Sequence, residues 1–241
     1  MHDENHDRRH RVKRRRTLSL LATAGAVLLA ARAVSSGAAQ PAPMCVLSPA
    51  QTEGPYFIDE RLNRSDIRSD PTDGSMAEGA PLTISLAISA VTAGKCAPLA
   101  GATVDIWHCD ANGRYSDTRD PGFDTTGKKF LRGFQVTDGS GTARFTTIYP
   151  GWYAGRAVHI HFKVRGGSGA KRGFEFTSQF YFDDAVTDRV YVRAPYAKRG
   201  RRTVRNGGDA IFRDGGNRMI LPVTESSAGY AADFNVGVML A

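Results

Sequence analysis

The feature that most constrains the fold is a succession of short β-type segments separated by turns. The segments are rich in Val, Ile, Thr, Phe and Tyr, alternate apolar with polar residues, and are separated by turn stretches such as DGSG and RGGSG. They read PLTISLAISAV, TVDIWHC, FQVT, ARFTTIY, VHIHFKV, FTSQFYF and NVGVML. Helical spacing of apolar residues is confined to a short piece near DDAVTDRVY. The pattern predicts an all-β fold, a β-sandwich of mostly antiparallel strands with long loops that can hold an active site.

The first 39 residues have the composition of an export signal. A basic region precedes an apolar run from Leu18 to Ala31, and small residues follow. The run is short for a bilayer span, and the RRTL motif at residues 15–18 is typical of twin-arginine signals. We therefore expect a protein exported through a Tat-type signal, extracellular or associated with the cell envelope. A basic tail with a single membrane anchor is the alternative.

The chain divides into three regions on this basis. Residues 1–39 are expected to be the twin-arginine-type signal, 40–80 an irregular N-terminal arm, and 81–241 the β-sandwich domain with the site. The leader holds eight Lys/Arg and three Asp/Glu, a net of +5, which leaves +3 of the overall +8 for the rest. The high pI belongs largely to the leader, and we predict no nucleic-acid partner.

Two surface properties stay open at this level. The basic run at residues 198–208 is typical of a solvated loop, with a loose contact to lignin or a cell-surface polymer as the alternative. A homodimer is also left open.

Three cysteines in an exported chain predict one disulfide and one free thiol. If residues 102–109 form an extended strand, Cys96 and Cys109 lie at its opposite ends and are poor partners. Cys45 paired with either of the others stays open.

Histidines are scarce after the leader, and only His108, His159 and His161 remain. On a strand, alternate side chains share a face, so His159 and His161 would point the same way, about 6–7 Å apart. Two imidazoles at this spacing can bind one metal ion. Two polar residues on a solvated strand face are the alternative.

Nearby tyrosines indicate which metal such a pair would bind. Tyr153 follows a Pro-Gly-Trp turn, and Tyr115 lies on a loop at the end of the TVDIWHC segment. Tyrosinate is an anionic oxygen donor, and Fe(III) readily deprotonates a phenol whose free pKa is about 10. Zinc is better served by three histidines, or by histidine with cysteine or carboxylate. The residue types therefore favour ferric iron.

The blocks VDIWHCDANGRYSD, LRGFQVTDGSGTARFTTIYPGWY and RAVHIHFKV resemble, in order, those of intradiol ring-cleavage dioxygenases. These are the non-haem Fe(III) enzymes typified by protocatechuate 3,4-dioxygenase and catechol 1,2-dioxygenase. TEGPYF and FTSQFYF fit as well, so the resemblance spans nearly all of residues 45–241. The five residues between Tyr153 and His159 make a shorter loop than in the cytoplasmic enzymes, which resembles an exported, actinobacterial-type branch.

The resemblance implies an activity and a set of metal ligands. The activity is insertion of both atoms of O2 between the two hydroxylated carbons of a catechol, giving a cis,cis-muconate-type product, with larger or lignin-derived catechols as the expected substrates. The implied iron ligands are Tyr115, Tyr153, His159 and His161. Tyr153 would be the axial tyrosinate that leaves as substrate binds, opposite His161, and would take one of the catechol protons.

Further site residues follow from the same resemblance. Arg156 would stabilise negative charge beside the substrate ring, since a guanidinium stays charged and donates in a fixed fork. Substrate-binding positions are implied at Thr52, Gly54, Pro55, Tyr56 and Gln179. We expect Trp152 to pack and also to wall the same pocket.

Three other classes of protein stay open. A secreted β-sandwich binding module would have no use for the Tyr/His set. A three-histidine enzyme would bind Zn or Cu through His108, His159 and His161 and would not need the tyrosines, although we expect His108 to be structural. A family member that has lost or altered ring cleavage is the third.

Overall fold

Strands make up most of the regular structure of the domain. The computed structural model describes residues 46–93, 95–166 and 173–240. Its strands are β1 (Pro81–Thr92), β2 (Lys95–Pro98), β3 (Thr103–Trp107), β4 (Arg119–Asp120), β5 (Phe123–Asp124), β6 (Arg132–Val136), β7 (Thr142–Ile148), β8 (His159–Gly166), β9 (Phe174–Tyr181), β10 (Thr224–Ser226) and β11 (Gly229–Met239). The all-β prediction is confirmed.

Short helices lie between β9 and β10. They are α1 (Asp184–Tyr191), α2 (Ala210–Arg213) and 3₁₀ helices at Tyr196–Arg199, Asn206–Gly208 and Gly216–Met219. The side chain of Asp183 caps α1 by accepting hydrogen bonds from the amides of Ala185 and Val186. The helical spacing near DDAVTDRVY predicted this helix correctly.

Two sheets pack as a sandwich. One has the order β10-β11-β1-β2, with β7 also pairing with β1, and the other has the order β6-β3-β8-β9. All named pairs between described strands are antiparallel except β1 with β11. Alternate residues of β1, such as Leu82 and Ile84, meet Ile160 and Phe162 of β8 in one apolar core.

The region before β1 lies along the sheets without forming a named strand or helix between residues 46 and 80, all of which are described. Isolated bridges tie Leu47 to β11, Asn63 to β6 and Asp66 to β7. The arm is therefore held by backbone contacts at several points along both sheets.

The cysteines have two different states. Cys96 is disulfide-bonded, whereas Cys109 is free and buried. Cys45 and the predicted export signal lie outside the described residues. Among the described residues, no helix has the length and apolarity needed to cross a bilayer.

Candidate metal centre

One row of side chains crosses the four-stranded sheet and underlies the site. Arg132, Trp107, His161 and Gln179 are register partners on β6, β3, β8 and β9. They lie on the outer face of the sheet, because Ile160, next to His161, packs in the sandwich core. All four are nevertheless buried. Loops and the arm therefore cover this face.

Four donor atoms converge above that row. Nε2 of His159 lies 3.0 Å from Nε2 of His161, 3.1 Å from Oη of Tyr153 and 3.4 Å from Oη of Tyr115. Tyr115 comes from the loop after β3, Tyr153 from the loop after β7, and both histidines from β8. Tyr153 is half-buried, whereas the other three are buried. The structure thus brings together the four side chains that the sequence singled out as ligands.

The two imidazoles are fixed in different ways. Nδ1 of His159 lies 2.7 Å from the carbonyl oxygen of Ala157, which can only accept, so Nδ1 has the proton and Nε2 offers a lone pair to the cluster. The ring of His161 stacks on Trp107 with centroids 5.0 Å apart and planes at 8°. Nδ1 of His161 is buried without a hydrogen-bond partner.

Burial sets the protonation of the cluster. It raises the pKa of Tyr115 and Tyr153 above the usual value for a phenol. Burial, reinforced by the charge of Arg156, lowers the pKa of His159 to about 3, and burial also lowers that of His161. All four groups are neutral at physiological pH, and two phenolates can form here only beside a strongly charged cation.

This donor set fits ferric iron. It offers two phenol oxygens and two neutral imidazole nitrogens within contact of one another. Across the described ranges, no group of three or more His, Cys, Asp or Glu side chains is placed to hold a metal ion. A metal centre built from the described residues therefore depends on the tyrosines.

Arg156 lies at the edge of the cluster and is held on two sides. Its Nη1 lies 3.5 Å from Nε2 of His159, its Nε donates to Oδ2 of Asp209 at 2.9 Å, and its Nη2 donates to Oε1 of Gln179 at 2.5 Å. Asp209 also accepts from the amide of Ala157 at 2.8 Å. The carboxylate therefore fixes both the guanidinium and the backbone of the short loop between Tyr153 and His159.

Asp209 is a site residue that the sequence reasoning missed. It is 1% exposed and lies 53 residues after Arg156, directly beyond the basic run at 198–208. Burial raises its pKa, but hydrogen bonds from Ala157 and the charge of Arg156 outweigh that effect, so the pKa lies below its usual value. A buried carboxylate in this state is an ionised partner for Arg156.

Gln179 lies beside Arg156, and its side chain is fully buried. Its expected place in the lining of the substrate pocket stays a prediction. Its oxygen accepts from Arg156 and its amide donates to the carbonyl of Thr52 at 2.8 Å. Gln179 therefore links Arg156 to the arm.

The arm residues 52–56 lie directly over the ligand cluster. Gly54 has φ +70°, and a Cβ there would come within 3.3 Å of Cε1 of His161, so both conformation and space favour glycine. The ring of Tyr56 stacks on Tyr115 with centroids 4.4 Å apart. Pro55 is exposed in the turn between them. This segment closes one side of the site.

A cleft of about 690 Å³ opens next to Tyr153 and reaches Tyr56 of the arm. Trp152 does not line it; the indole packs against the main core, with the guanidinium of Arg199 4.7 Å from its ring. The cleft is lined by Tyr56, Asn112, Gly113, Arg114, Asp120, Gly122, Phe123, Tyr153, Ala154 and Arg199.

Comparison with known proteins agrees with this geometry. A family model described as Dioxygenase (Dioxygenase_C) matches residues 52–206, which include all four donor side chains and Arg156. The chain belongs to the intradiol ring-cleavage dioxygenase family. An intradiol ring-cleavage dioxygenase from Tetranychus urticae is 31% identical in sequence, with a TM-score of 0.68 over 80% of this chain and 94% of that one.

Other relatives extend the likeness to bacteria. The dioxygenase domain of a dioxygenase and carbohydrate-binding protein fusion from the cellulolytic bacterium Streptomyces sp. SirexAA-E is 28% identical, with a TM-score of 0.57 over 81% of this chain and all of that one. A chlorocatechol 1,2-dioxygenase of Pseudomonas putida is 31% identical over 151 residues, 54% of this chain and 52% of that protein. The chain thus spans about half the length of the chlorocatechol 1,2-dioxygenases that it matches.

His108 stands apart from the centre of this intradiol dioxygenase family member. Its Nδ1 lies 2.8 Å from the carbonyl of Cys109 and its Nε2 2.7 Å from Oγ1 of Thr147 on the opposite sheet. The ring is fully buried and points into the sandwich. The structure does not bring His108 to His159 and His161, and the three-histidine site is not formed.

The basic run at residues 198–208 is partly neutralised within the fold. Arg202 is bound to Asp184 and Asp188, and Arg205 is bound to the same two carboxylates. Arg199 donates to the carbonyl of Trp152. Much of the charge in residues 198–208 therefore has partners in the protein.

Proposed function

We propose that the protein is a non-haem Fe(III) intradiol dioxygenase that inserts both atoms of O2 between the hydroxylated carbons of a catechol, giving a cis,cis-muconate. The observation that supports this most directly is the convergence of two tyrosine oxygens and two histidine nitrogens around His159. Tyr115, Tyr153, His159 and His161 would hold the metal. When bound, a ferric ion would act as a Lewis acid that activates the catechol toward O2.

The side chains suggest how substrate is received. Tyr153 is half-buried and lines the cleft, whereas Tyr115, His159 and His161 are buried. Tyr153 is therefore the ligand that an entering catechol can reach, and its phenolate would accept one of the two catechol protons. The three inner ligands would stay in place.

Arg156 would supply a fixed positive charge beside the reacting ring. Asp209 and Gln179 hold the guanidinium on two sides, so it needs no reorganisation as negative charge develops. Preorganised donors of this kind typically contribute a factor of about 10²–10³ in rate.

Substrate class and location are part of the same proposal. The cleft beside Tyr153 is larger than a bare catechol ring requires, which supports catechols with a sizeable substituent. Together with the export signal proposed for residues 1–39, this favours lignin-derived catechols met outside the cell.

The visible spectrum of the iron-loaded protein tests the proposal. Tyrosinate bound to ferric iron gives a broad charge-transfer band, and we expect Tyr115→Phe and Tyr153→Phe each to change that band. Oxygen uptake with a panel of catechols should then be accompanied by muconate-type products. A protein that stays colourless after iron loading contradicts the proposal, as do products of cleavage beside the two hydroxyls.

A further inference from the structure

The outer face of β8 continues beyond the two histidines. Strand alternation places Lys163 on the same face as His159 and His161, one step further along. The lysine is only 6% exposed. An ammonium group at such a depth needs partners, because burying an unpaired charge is costly.

Two of the partners of Lys163 come from the arm that covers the metal centre. Its Nζ forms an ion pair with Oε2 of Glu53 and lies 4.2 Å from the ring centroid of Phe57. The third partner, Oε2 of Glu175 on β9, is 3.4 Å away. Lys163 therefore binds the arm on both sides of residues 54–56.

The segment between those two contacts is the part that covers the ligands. Gly54 lies against the His161 ring, and Tyr56 stacks on Tyr115. Hydrogen bonds also hold it at the carbonyl of Thr52, bound by Gln179, and at the carbonyl of Tyr56, bound by Arg132 at 2.5 Å. Phe57 packs against Trp107 with ring centroids 4.8 Å apart. Among the contacts named here, the pair of Glu53 with Lys163 is the one ion pair between side chains.

We propose that Lys163 and Glu53 form a latch that holds residues 52–57 over the ligand cluster and so sets the shape of the substrate side of the site. Lys163 is a positioning residue, since it acts through the arm. Its effect on catechol binding rests on the function proposed above, whereas its effect on the arm does not.

Glu53→Gln breaks the latch, and Glu175→Gln provides the matched control. Both variants remove one carboxylate from the same lysine, but Glu175 lies on β9 and its side chain is 64% exposed. We expect Glu53→Gln in the iron-loaded protein to speed amide hydrogen exchange in residues 52–57 about fivefold to tenfold. Glu175→Gln should leave that exchange within about twofold of the parent.

Kinetics give the second readout. Glu53→Gln should raise KM for catechols about fivefold to tenfold while kcat and iron content stay near parent values, because the arm and not the chemistry is changed. Lys163→Gln should raise KM in the same way, and Lys163→Arg should bring KM part of the way back to the parent value because it keeps the charge.

The outcomes separate the latch from the proposed function. Parent-like exchange and KM in Glu53→Gln would overturn the latch, as would an equal effect of Glu175→Gln on exchange. If Lys163→Gln fails to fold, the Glu53 and Glu175 variants still decide the matter. If the parent protein itself shows no ring cleavage, the function fails, but hydrogen exchange still tests the latch.

Discussion

The two faces of β8 are both buried, yet they differ in what covers them. Ile160 and Phe162 pack in the sandwich core, whereas His159 and His161 are covered by the arm and by loops. On β1 the outer face is open at its beginning, where Thr83 is exposed, and becomes covered toward Ser89, which is buried. The alternation in VHIHFKV therefore separates core from site, and not core from solvent.

Histidines on the two sides of the same sheet differ in their hydrogen-bond partners. His108 points into the sandwich, and both of its ring nitrogens have fixed oxygen partners. His161 on the outer face has one nitrogen without a partner and the other facing His159. His108 is therefore satisfied within the fold, whereas Nε2 of His161 faces another ligand side chain and is available to bind a metal ion.

The largest expected effect comes from an outer-face ligand. His161→Ala should lose the iron and its visible band, and ring cleavage should fall below about one-thousandth of the parent rate, since one of four donors is gone. Metal analysis and oxygen uptake measure this. Thr83→Ala on the open face of β1 is the control and should keep both. Retention of a full iron complement by His161→Ala would show that the outer face is not the metal site.

An inner-face change should act on stability and leave the centre intact. Phe162 is fully buried and stacks on Phe180 with centroids 4.1 Å apart. Phe162→Ala should lower the free energy of unfolding by about 3–5 kcal/mol through lost burial and a cavity. Denaturant unfolding measures the loss, and the folded fraction should keep the parent ratio of iron to protein. A changed charge-transfer band would mean that the two faces are not independent.

Arg156, in the loop that leads into β8, tests a part of the site that does not bind metal. Arg156→Gln should keep the iron but lower kcat by about 10²–10³, because a fixed positive charge beside the ring is removed. Asp209→Asn keeps the charge of Arg156 but loosens its orientation, so kcat should fall about 10-fold to 100-fold. Steady-state kinetics with parallel iron analysis measure both. A larger loss in Asp209→Asn than in Arg156→Gln would contradict the assigned order of roles.

Sequence alone predicts the histidine pair well because strand periodicity is local. Alternation places His159 and His161 on one face whatever the rest of the chain does. The sandwich and α1 were likewise predicted from local patterns. Strands β2, β4, β5 and β10 were not predicted, since two to four residues are too few to show alternation.

Contacts between distant segments explain what the sequence could not supply. Asp209 reaches Arg156 across 53 residues, and Glu53 reaches Lys163 from the arm, with no local signal in either case. Gln179 lies on the predicted strand, but its partners Arg156 and Thr52 depend on how the loop and the arm fold over the sheet. These are tertiary contacts between distant parts of the chain, and residue type alone does not predict them.

The smallest effect concerns the inner-face histidine and depends on pH. Burial lowers the pKa of His108 to about 4 from its usual 6.5, so between these values the unfolded chain binds a proton that the folded chain does not. Stability from this group is therefore complete above pH 6.5 and is lost as the pH falls toward 4. His108→Gln removes this proton binding by the unfolded chain. When the pH is lowered from about 7 to 5, the parent should therefore lose about 2 kcal/mol more unfolding free energy than the variant. Urea unfolding across this range measures the difference. Parallel pH curves for variant and parent would mean that His108 is protonated within the fold. The contrast between His108, with two fixed hydrogen-bond partners, and the ligand pair His159 and His161 would then fail.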